Sequence, residues 1–279
     1  MSKSFSKMTE SSNTLLIVDA LNLAFRWKHQ GVRDFAEDYL RTVESLKRSY
    51  KAKWVIIAAD KGSSSYRKAL WPGYKQNRKD KFAEQTEAEK EAFELFFQDY
   101  EDTLKLLRVS SYPVLQYHGT EADDIGAYIS SVATKYGVEH TWLMSSDKDW
   151  DLLVGTNVSR FSYVTRKEVT LDNWHDHYEC TPEQYISIKC LQGDSGDNVI
   201  GVSGIGPKRA LELVNKYGSA MDIVANLPIS SKLKYVQILN ESGELIMLNY
   251  QLMDLVTFCR DALGDNVQDI DKVLTEYIQ

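Results

Sequence analysis

Nine acidic residues fall in short clusters, and each cluster stands where an apolar run has just ended or a new segment begins. They are Asp19, Asp60, Glu121, Asp123, Asp124, Asp147, Asp149, Asp194 and Asp197. Carboxylates that converge raise one another's pKa and destabilise a fold unless cations are present. No histidine or cysteine joins the pattern, and oxygen donors alone suit hard divalent cations such as Mg²⁺. So many acids predict at least two ions, a pair that can clamp the attacking and leaving oxygens of a phosphodiester.

Short β-rich runs alternate with helical patterns through the first 180 residues. Strands are predicted at 14–18, 54–59, 114–117, 141–145 and 158–163, and helices at 33–50, 84–108 and 122–136. This alternation predicts an α/β fold with a mostly parallel central sheet and helices on both faces. Such sheets bind ligands at the carboxyl ends of their strands, which is where the acids stand. Any one aspartate after a strand is more often a turn or helix cap, so the metal site is predicted from the whole set.

The segment 66–81, YRKALWPGYKQNRKDK, combines six basic residues and interleaved aromatic ones with a single acid. Cations that follow a backbone and rings that stack on bases are what single-stranded nucleic acid requires. Lys75 and Arg78 share a face if this segment is helical. The Pro-Gly pair before Tyr74 argues against a stable helix there, so we expect a mobile segment that becomes ordered on its substrate. The alternative is a solvated basic loop that balances the acids following it.

After residue 180 the pattern is helical apart from glycine-rich connections. The segment 201–210, GVSGIGPKRA, lets Pro207 open a helix whose first turn carries Lys208 and Arg209. Backbone N–H groups at such a helix start form a sequence-independent cradle for phosphate. Carbonyls turned outward by the glycines could also hold a monovalent cation. The alternative is an ordinary turn between helices, and in either case we expect 181–279 to form a helical subdomain packed on the sheet domain.

The composition excludes several classes of protein. The chain has 279 residues, a formal net charge of −7 and three separated cysteines. No apolar run approaches the ~20 residues of a membrane helix, and the isolated cysteines argue against a disulfide framework and fit a reducing cytoplasm. The net charge alone argues against nucleic acid, but without the nine clustered acids the 40 acidic residues fall to 31 against 33 basic ones. Residues 1–13 are expected to be a flexible tail rather than a signal peptide.

These motifs, in this order, resemble those of the 5′-nuclease superfamily of structure-specific nucleases, most of all the bacteriophage-type 5′-3′ exonucleases and flap endonucleases. The 5′-nuclease domain of bacterial DNA polymerase I is also similar. The resemblance covers about residues 14–260 and is carried by VDALNLAFR (18–26), AADKG (58–62), YKQNRKDK (74–81), GTEADD (119–124), SSDKDW (145–150), LQGDSGDN (191–198) and GVSGIGPKRA (201–210). It implies a PIN-like α/β nuclease domain at 14–180 with a helical arch at about 66–108. It also implies a helical DNA-binding subdomain at 181–279 that contains a helix–three-turn–helix.

The resemblance further implies how the acids divide between two metal ions. One Mg²⁺ would be bound by Asp19, Asp60, Glu121 and Asp123. The second would be served by Asp147, Asp149, Asp194 and Asp197, with Asp124 close by. Mn²⁺ would be able to replace Mg²⁺.

Other roles implied by the resemblance concern the DNA. Lys75 and Arg78 would be catalytic residues that steer and stabilise the scissile phosphate, and Tyr74 would stack on a base. Further DNA contacts are implied for Arg26, near the floor of the active site, and for Lys79, Gly204, Gly206, Lys208 and Arg209. A K⁺ ion would lie on the backbone carbonyls of Val202 and Ile205.

The sequence therefore predicts a Mg²⁺-dependent flap endonuclease and 5′-3′ exonuclease that cleaves DNA by two-metal-ion catalysis in replication, primer removal or repair. Its partner would be branched or 5′-ended DNA, including RNA-primed DNA. We expect a monomer without membrane association in the cytoplasm, that of the bacterial host if a phage encodes it. Two alternatives stay open. A non-catalytic protein that binds branched DNA would do better without acids beside the DNA, and a PIN-like RNA nuclease would leave the hairpin at 201–210 unexplained.

Overall fold

The computed structural model describes residues 13–278, so the tail predicted at 1–13 lies outside the described residues apart from Asn13. Six strands form one sheet: β1 (Thr14–Asp19), β2 (Trp54–Ala59), β3 (Val114–Gln116), β4 (His140–Met144), β5 (Val158–Phe161) and β6 (Glu168–Val169). Their order across the sheet is β3-β2-β1-β4-β5-β6, with β1 to β5 parallel and β6 antiparallel to β5. This confirms the predicted α/β fold with a mostly parallel sheet. The short β6 has no counterpart in the sequence prediction.

The register of the strands brings their carboxyl ends to one edge of the sheet. Asp19 pairs with Ala58 of β2, and β3 ends beside the last residue of β2. The strands β1 and β2 are buried along their whole length, as expected of parallel strands covered on both faces. Every segment that leaves the end of β1, β2 or β4 therefore starts at the same edge.

The helices account for most of the remaining chain. Within the described residues they are α1 (Ala20–His29), α2 (Ala36–Ser49), α3 (Ser65–Leu70), α4 (Gln76–Ala83), α5 (Glu87–Val109), α6 (Ala122–Val132), α7 (Pro182–Gln192), α8 (Pro207–Tyr217), α9 (Ala220–Ala225), α10 (Lys234–Asn240), α11 (Gly243–Met253), α12 (Leu255–Leu263) and α13 (Asn266–Ile278). Short 3₁₀ turns follow α6 and β4, and two further strands, β7 (Gly193–Asp194) and β8 (Val199–Ile200), form an antiparallel pair. The predicted helices at 33–50, 84–108 and 122–136 all form, and Gly137 ends the last of them in a left-handed conformation.

Helices cover both faces of the sheet because alternate strand residues point to opposite sides. On one face, Leu16 and Ile57 share an apolar core with α1, α2 and α5. On the other face, Leu15 and Ile56 pack with α6 and with the last two helices, α12 and α13. The sequence assigned α12 and α13 to the helical subdomain, but by their packing they complete the core of the sheet domain.

A separate apolar core joins the helices α7 to α11. It also includes Tyr74, with Leu70 and Trp71 packed against it, so the basic segment is anchored to the helical part of the chain. The expectation of no stable helix before Tyr74 is wrong, because α3 forms there. Ser64 caps α3 by accepting a hydrogen bond from the Arg67 N–H at 3.2 Å, and Pro72 only limits where the helix ends.

The cysteines and the helices of the described residues contain no disulfide and no membrane span. The three cysteines are free thiols buried in the structure. Within residues 13–278, no helix has both the length and the apolar character needed to cross a membrane.

Candidate active site

A cavity of about 220 Å³ opens at the edge of the sheet where the strands end. Seven of the nine clustered acids line it, together with two basic side chains, Lys75 and Arg78. The seven acids are Asp19, Asp60, Glu121, Asp123, Asp147, Asp149 and Asp197. They come from five separate stretches of the chain, as the strand-end pattern predicted.

Two of these acids follow the central strands directly. Asp19 ends β1 and caps α1, accepting hydrogen bonds from the Asn22 N–H at 3.2 Å and the Ser145 hydroxyl at 2.7 Å. Asp60 follows β2 and accepts the Ala122 N–H at 3.0 Å, which connects it to the start of α6. Burial, together with the neighbouring Asp60 carboxylate, raises the pKa of Asp19 well above its ordinary value. Burial also raises the pKa of Asp60.

The start of α6 contributes Glu121 and Asp123, where the helix dipole favours negative charge. Glu121 is buried and accepts hydrogen bonds from the Tyr74 hydroxyl and the Lys75 ammonium, both at 2.8 Å, and from the Ser64 N–H at 3.1 Å. Burial alone would raise the pKa of Glu121, but the Lys75 and Arg67 cations lower it below its ordinary value. Among the described residues, Asp123 accepts only the N–H of the next residue. Burial, with two neighbouring carboxylates, raises the pKa of Asp123 strongly.

The segment after β4 adds Asp147 and Asp149 on a short 3₁₀ turn. Asp147 caps this turn by accepting the Asp149 N–H at 2.9 Å. Loss of solvent around the carboxyl group, with repulsion from Asp149, raises the pKa of Asp147 to about 6. Asp149 faces the helical subdomain, where it accepts a hydrogen bond from the Lys189 ammonium at 2.7 Å.

The last two acids lie in the β7–β8 hairpin: Asp194 ends β7, and Asp197 lies in the connection to β8. We call residues 194–198 the acidic loop. Asp194 accepts hydrogen bonds from the Gly196 and Asp197 N–H groups and from Lys189 at 3.2 Å. Burial would raise the pKa of Asp194, but the Lys189 ammonium lowers it. Asp197 forms ion pairs with Arg78 and, at 3.7 Å, with Lys75. Lys189 therefore ties this loop to the segment after β4.

The acids divide into two groups by their partners. Asp19, Asp60, Asp123 and Asp147 have no ion-pair partner among residues 13–278, and the pKa of each is raised. The acids of the other group each contact a lysine or arginine. A set of unpaired carboxylates that share one cavity is unstable unless a cation joins it.

The donor chemistry of the cavity fits hard divalent ions. One oxygen each of Glu121, Asp123 and Asp124 lies within 4.8 Å of the others, a spacing that allows a shared ion. The acids that line the cavity bring oxygen donors only, the ligand type that Mg²⁺ prefers. The four carboxylates without a basic partner would hold an ion without first displacing a side chain.

Asp124 is placed differently from the other acids. It is fully buried, and both of its oxygens accept hydrogen bonds from the Arg67 guanidinium at 2.7 Å. Arg67 is itself buried and also donates to the Leu252 carbonyl of α11 at 2.7 Å. The pair therefore joins α3, α6 and the helical subdomain. Asp124 does not line the cavity, and a metal contact would require this ion pair to break.

The basic segment faces the acids, but not all of it is available to DNA. Lys75 is largely buried over Glu121, and the Glu121 and Asp197 carboxylates overcome burial to raise its pKa. Arg78 is 57% exposed at the cavity mouth, and Lys79 is exposed. Tyr74 is only 3% exposed, and its hydroxyl donates to Glu121 and Asp197. The implied base-stacking role of Tyr74 is therefore contradicted in this conformation, because the ring packs in the core of the helical subdomain.

Arg26 also differs from what the resemblance implied. It is exposed and lines a neighbouring groove of about 1020 Å³ with Arg41 and Arg166, rather than the acid cavity. The α1 residues that line the acid cavity are Leu21, Asn22 and Phe25. Arg26 therefore does not line the acid cavity, and its contact with DNA stays a prediction.

The glycine-rich hairpin forms as predicted, with α8 beginning at Pro207. Gly204, Gly206, Lys208 and Arg209 are exposed, so all four can reach a ligand. Arg209 lies over the Tyr235 ring at 4.5 Å and donates to the Gly204 carbonyl at 2.6 Å. The side chains of Val202 and Ile205 are buried, and the Val202 carbonyl accepts the Ile205 N–H at 3.0 Å. The hairpin thus turns its backbone outward while its apolar side chains hold it to the core.

Sequence reasoning missed two basic residues of the site, Arg67 and Lys189. Arg67 is one of the six bases of the segment 66–81, and nothing in its local sequence indicates burial against Asp124. Lys189 lies five residues before Asp194 in the last turn of α7, a position from which a lysine can fold back onto the acidic loop. That spacing is the signal that could have identified it.

Comparison with family models, with curated relatives and with solved structures gives concordant results. Residues 14–179 match the family model of the 5′-3′ exonuclease N-terminal resolvase-like domain, and residues 180–271 match that of the 5′-3′ exonuclease C-terminal SAM fold. The flap endonuclease of Escherichia phage T5 is 41% identical over 289 aligned residues, which cover 100% of this chain and 99% of the relative. A solved structure of a T5 flap endonuclease variant, described as a pseudo-enzyme-product complex with DNA and metal ions, superposes with a TM-score of 0.90 at 40% identity, covering 95% of this chain and 99% of that one. DNA polymerase I of Lactococcus lactis subsp. cremoris is 29% identical over 89% of this chain and 29% of its own length.

Proposed function

Because this chain belongs to the 5′-3′ exonuclease family, we propose that it hydrolyses DNA phosphodiesters at flap junctions and 5′ ends with the help of divalent metal ions. The observation that carries the proposal is the cavity in which seven carboxylates from separate segments face Lys75 and Arg78. The flap endonuclease of phage T5, matched over its full length, supports the same activity.

Two groups of residues would hold the ions. The carboxylates that follow β1 and β2 and those that open α6 form the first group. The carboxylates after β4 and in the acidic loop form the second. Mg²⁺ is the ion we propose, with Mn²⁺ as a substitute. When bound, two such ions would lower the pKa of a water and offset charge on the attacking and leaving oxygens.

Lys75 and Arg78 would act on the phosphate itself. Lys75 remains protonated because the Glu121 and Asp197 carboxylates raise its pKa. Its ammonium lies 2.8 Å from Glu121 and 3.7 Å from Asp197, so it sits over the acids that would surround the scissile phosphate. Such a fixed cation stabilises the charge that grows on phosphate oxygens in the transition state. Arg78, exposed at the mouth, would draw the DNA backbone into the cavity.

The hairpin at 201–210 would bind the duplex part of the substrate. Backbone N–H groups at the start of α8, with Lys208 and Arg209 exposed beside them, can contact phosphates without reading sequence. We assign a K⁺ ion to the carbonyls of Val202 and Ile205. The preference for branched or 5′-ended DNA over other DNA follows from combining this duplex site with a separate cavity for the cleaved strand.

The cellular role that fits this chemistry is processing of 5′ flaps and removal of primers in replication or repair. We propose that the protein acts as a monomer in the cytoplasm where the DNA is replicated. The three buried free thiols agree with a reducing compartment.

The test is cleavage of a fluorescent 5′-flap DNA under single-turnover conditions, with Mg²⁺ and with EDTA. We expect cleavage near the junction only with Mg²⁺ and its loss in Asp147→Asn, with flap binding retained in Ca²⁺. Binding without cleavage by the wild-type chain would support the non-catalytic alternative. Faster cleavage of an RNA flap on an RNA duplex would support the RNA nuclease. Replacing K⁺ with Na⁺ should weaken binding of duplex DNA while the cleavage step of bound flap changes little.

A further inference from the structure

Several hydrogen bonds join the basic segment to the acidic loop, among them those from the Asn77 amide to the Ser195 and Gly196 carbonyls. Five residues form the part of this contact that surrounds the Lys75 backbone, which we call the clasp: Trp71, Gly73, Lys75, Asp197 and Asn198. The Asn198 side-chain amide donates to the Gly73 carbonyl at 2.7 Å, and the Trp71 indole N–H donates to the Asn198 carbonyl at 3.2 Å. The Lys75 N–H donates to the Asp197 carbonyl at 2.9 Å. The two segments therefore meet by backbone as well as by charge.

The clasp contains two residues with left-handed backbone. Lys75 has a φ of +55° and Asn198 a φ of +57°. Asparagine tolerates this region, whereas a lysine there is strained and persists only where its surroundings hold it. Lys75 is held by its own N–H, which donates to the Asp197 carbonyl. Two residues earlier, the Gly73 carbonyl accepts the Asn198 amide at 2.7 Å as well as the Gln76 N–H at 3.0 Å.

Gly73 allows the clasp to close. A Cβ at this position would lie 2.8 Å from the Trp71 ring, closer than side-chain atoms can approach. A larger residue would push the ring away from the Asn198 carbonyl. The glycine thus matters for the packing of Trp71 rather than only for the turn after Pro72.

The clasp connects two bodies of the molecule. Trp71 and Tyr74 pack in the apolar core of the helical subdomain. The Lys75 ammonium, by contrast, reaches Glu121 at the edge of the sheet. The backbone of Lys75 is therefore held by the acidic loop, while its ammonium contacts the carboxylate that opens α6.

We propose that Asn198 is a positioning residue: through Gly73 it holds Lys75 above the acid cavity, so that Lys75 and the acids of the 194–198 loop move as one unit. This inference rests on the proposed function, because it requires Lys75 to act on the scissile phosphate. It adds a residue that does not line the acid cavity and yet sets the rate of the chemical step.

The test is a double-mutant cycle of Asn198→Gly and Lys75→Ala, measured as kcat and KM on 5′-flap DNA in saturating Mg²⁺. Glycine adopts a φ of +57° without strain, so this substitution removes the amide and spares the loop backbone. We expect Asn198→Gly to lower kcat about tenfold, or ~1.4 kcal/mol, with little change in KM. In the Lys75→Ala background the same substitution should lower kcat less than twofold, because the group that it positions is absent.

The matched control is Asn240→Ala, which removes another side-chain amide that donates to a backbone carbonyl, that of Ile229 at 2.9 Å, in the same subdomain. It should leave kcat unchanged. If Asn198→Gly does not fold, Gly73→Ala replaces it in the cycle and should show the same dependence on Lys75. Effects that multiply, or a wild-type kcat in Asn198→Gly, would overturn this inference alone. A Lys75→Ala variant as fast as the wild type would overturn both the inference and the role of Lys75 in the proposed function.

Discussion

Two neighbouring aspartates are expected to respond in opposite directions to the same isosteric substitution. Asp124 is fully buried, and its two oxygens each lie 2.7 Å from the Arg67 guanidinium. Asp124→Asn would leave the Arg67 charge buried without its main partner, which costs about 3–5 kcal/mol of stability. Asp123 has no ion-pair partner within residues 13–278, and burial with repulsion raises its pKa strongly. Asp123→Asn removes this unfavourable charge, so the metal-free protein should be at least as stable as the wild type.

Thermal unfolding in EDTA at pH 7.5 measures the difference. A loss of about 3 kcal/mol corresponds to a fall in Tm of roughly 6–12 °C for a chain of this size. Asp124→Asn should show a fall of that order, while Asp123→Asn should show no fall. Asp151→Asn is the matched control, because it breaks the other buried pair with an arginine, Arg160, and should also lose stability.

Addition of Mg²⁺ completes the experiment. An ion present at a hundred times its Kd stabilises the folded state by about 2.7 kcal/mol. The wild type and Asp124→Asn should both gain stability with Mg²⁺, whereas Asp123→Asn should gain much less. A stable Asp124→Asn, or an Asp123→Asn destabilised as much as Asp124→Asn, would refute the assignment of these two carboxylates.

Three further predictions follow from the partners of the acids. Lys75→Ala should slow flap cleavage by about two orders of magnitude in single-turnover assays, because the Lys75 ammonium acts in the transition state. The Kd for the flap in Ca²⁺ should change less than tenfold. A change in Kd alone would make Lys75 an electrostatic tether. Lys189→Met should leave Asp149 and Asp194 without their shared cation. Because Mg²⁺ then has no lysine to displace, the Mg²⁺ concentration that gives half of the rise in Tm should be lower than in the wild type. An unchanged concentration would show that Lys189 does not compete with the ion. The folded-state pKa of Asp147 is raised to about 6, so in EDTA its contribution to stability should decline as the pH rises from about 4 through 6, and Mg²⁺ should reverse this decline. Chemical unfolding across this pH range measures the effect as the difference between the wild type and Asp147→Asn. The same dependence of stability on pH in both proteins would contradict the account.

The sequence predicted the parts of the site that depend on local pattern. Strand ends can be recognised from short apolar runs, and parallel strands bring their ends to one edge, so acids that are distant in sequence could be placed together. The glycine-rich hairpin and the helix start at Pro207 were equally predictable, because their residues favour one local backbone.

The errors concern contacts that only tertiary packing decides. The resemblance and the basic neighbours of Tyr74 both favour a contact with DNA, but an aromatic ring beside a helical subdomain gains more by burial in its core. Arg67 and Asp124 are 57 residues apart, and no local pattern connects them. The position of Arg26 could have been corrected from helical phase, since it lies about 100° around α1 from Phe25, which faces the cavity.

Locating divalent ions in crystals grown with Mn²⁺ and a short 5′-flap duplex would test the metal-dependent mechanism most directly. Anomalous difference density should show two ions in the acid cavity, ~3.5–4 Å apart as in other two-metal sites. One should lie among the carboxylates that follow β1 and β2 and open α6, and the other among those after β4 and in the acidic loop. Cleaved DNA in the crystal with Mn²⁺ bound elsewhere, and none in this cavity, would contradict the mechanism.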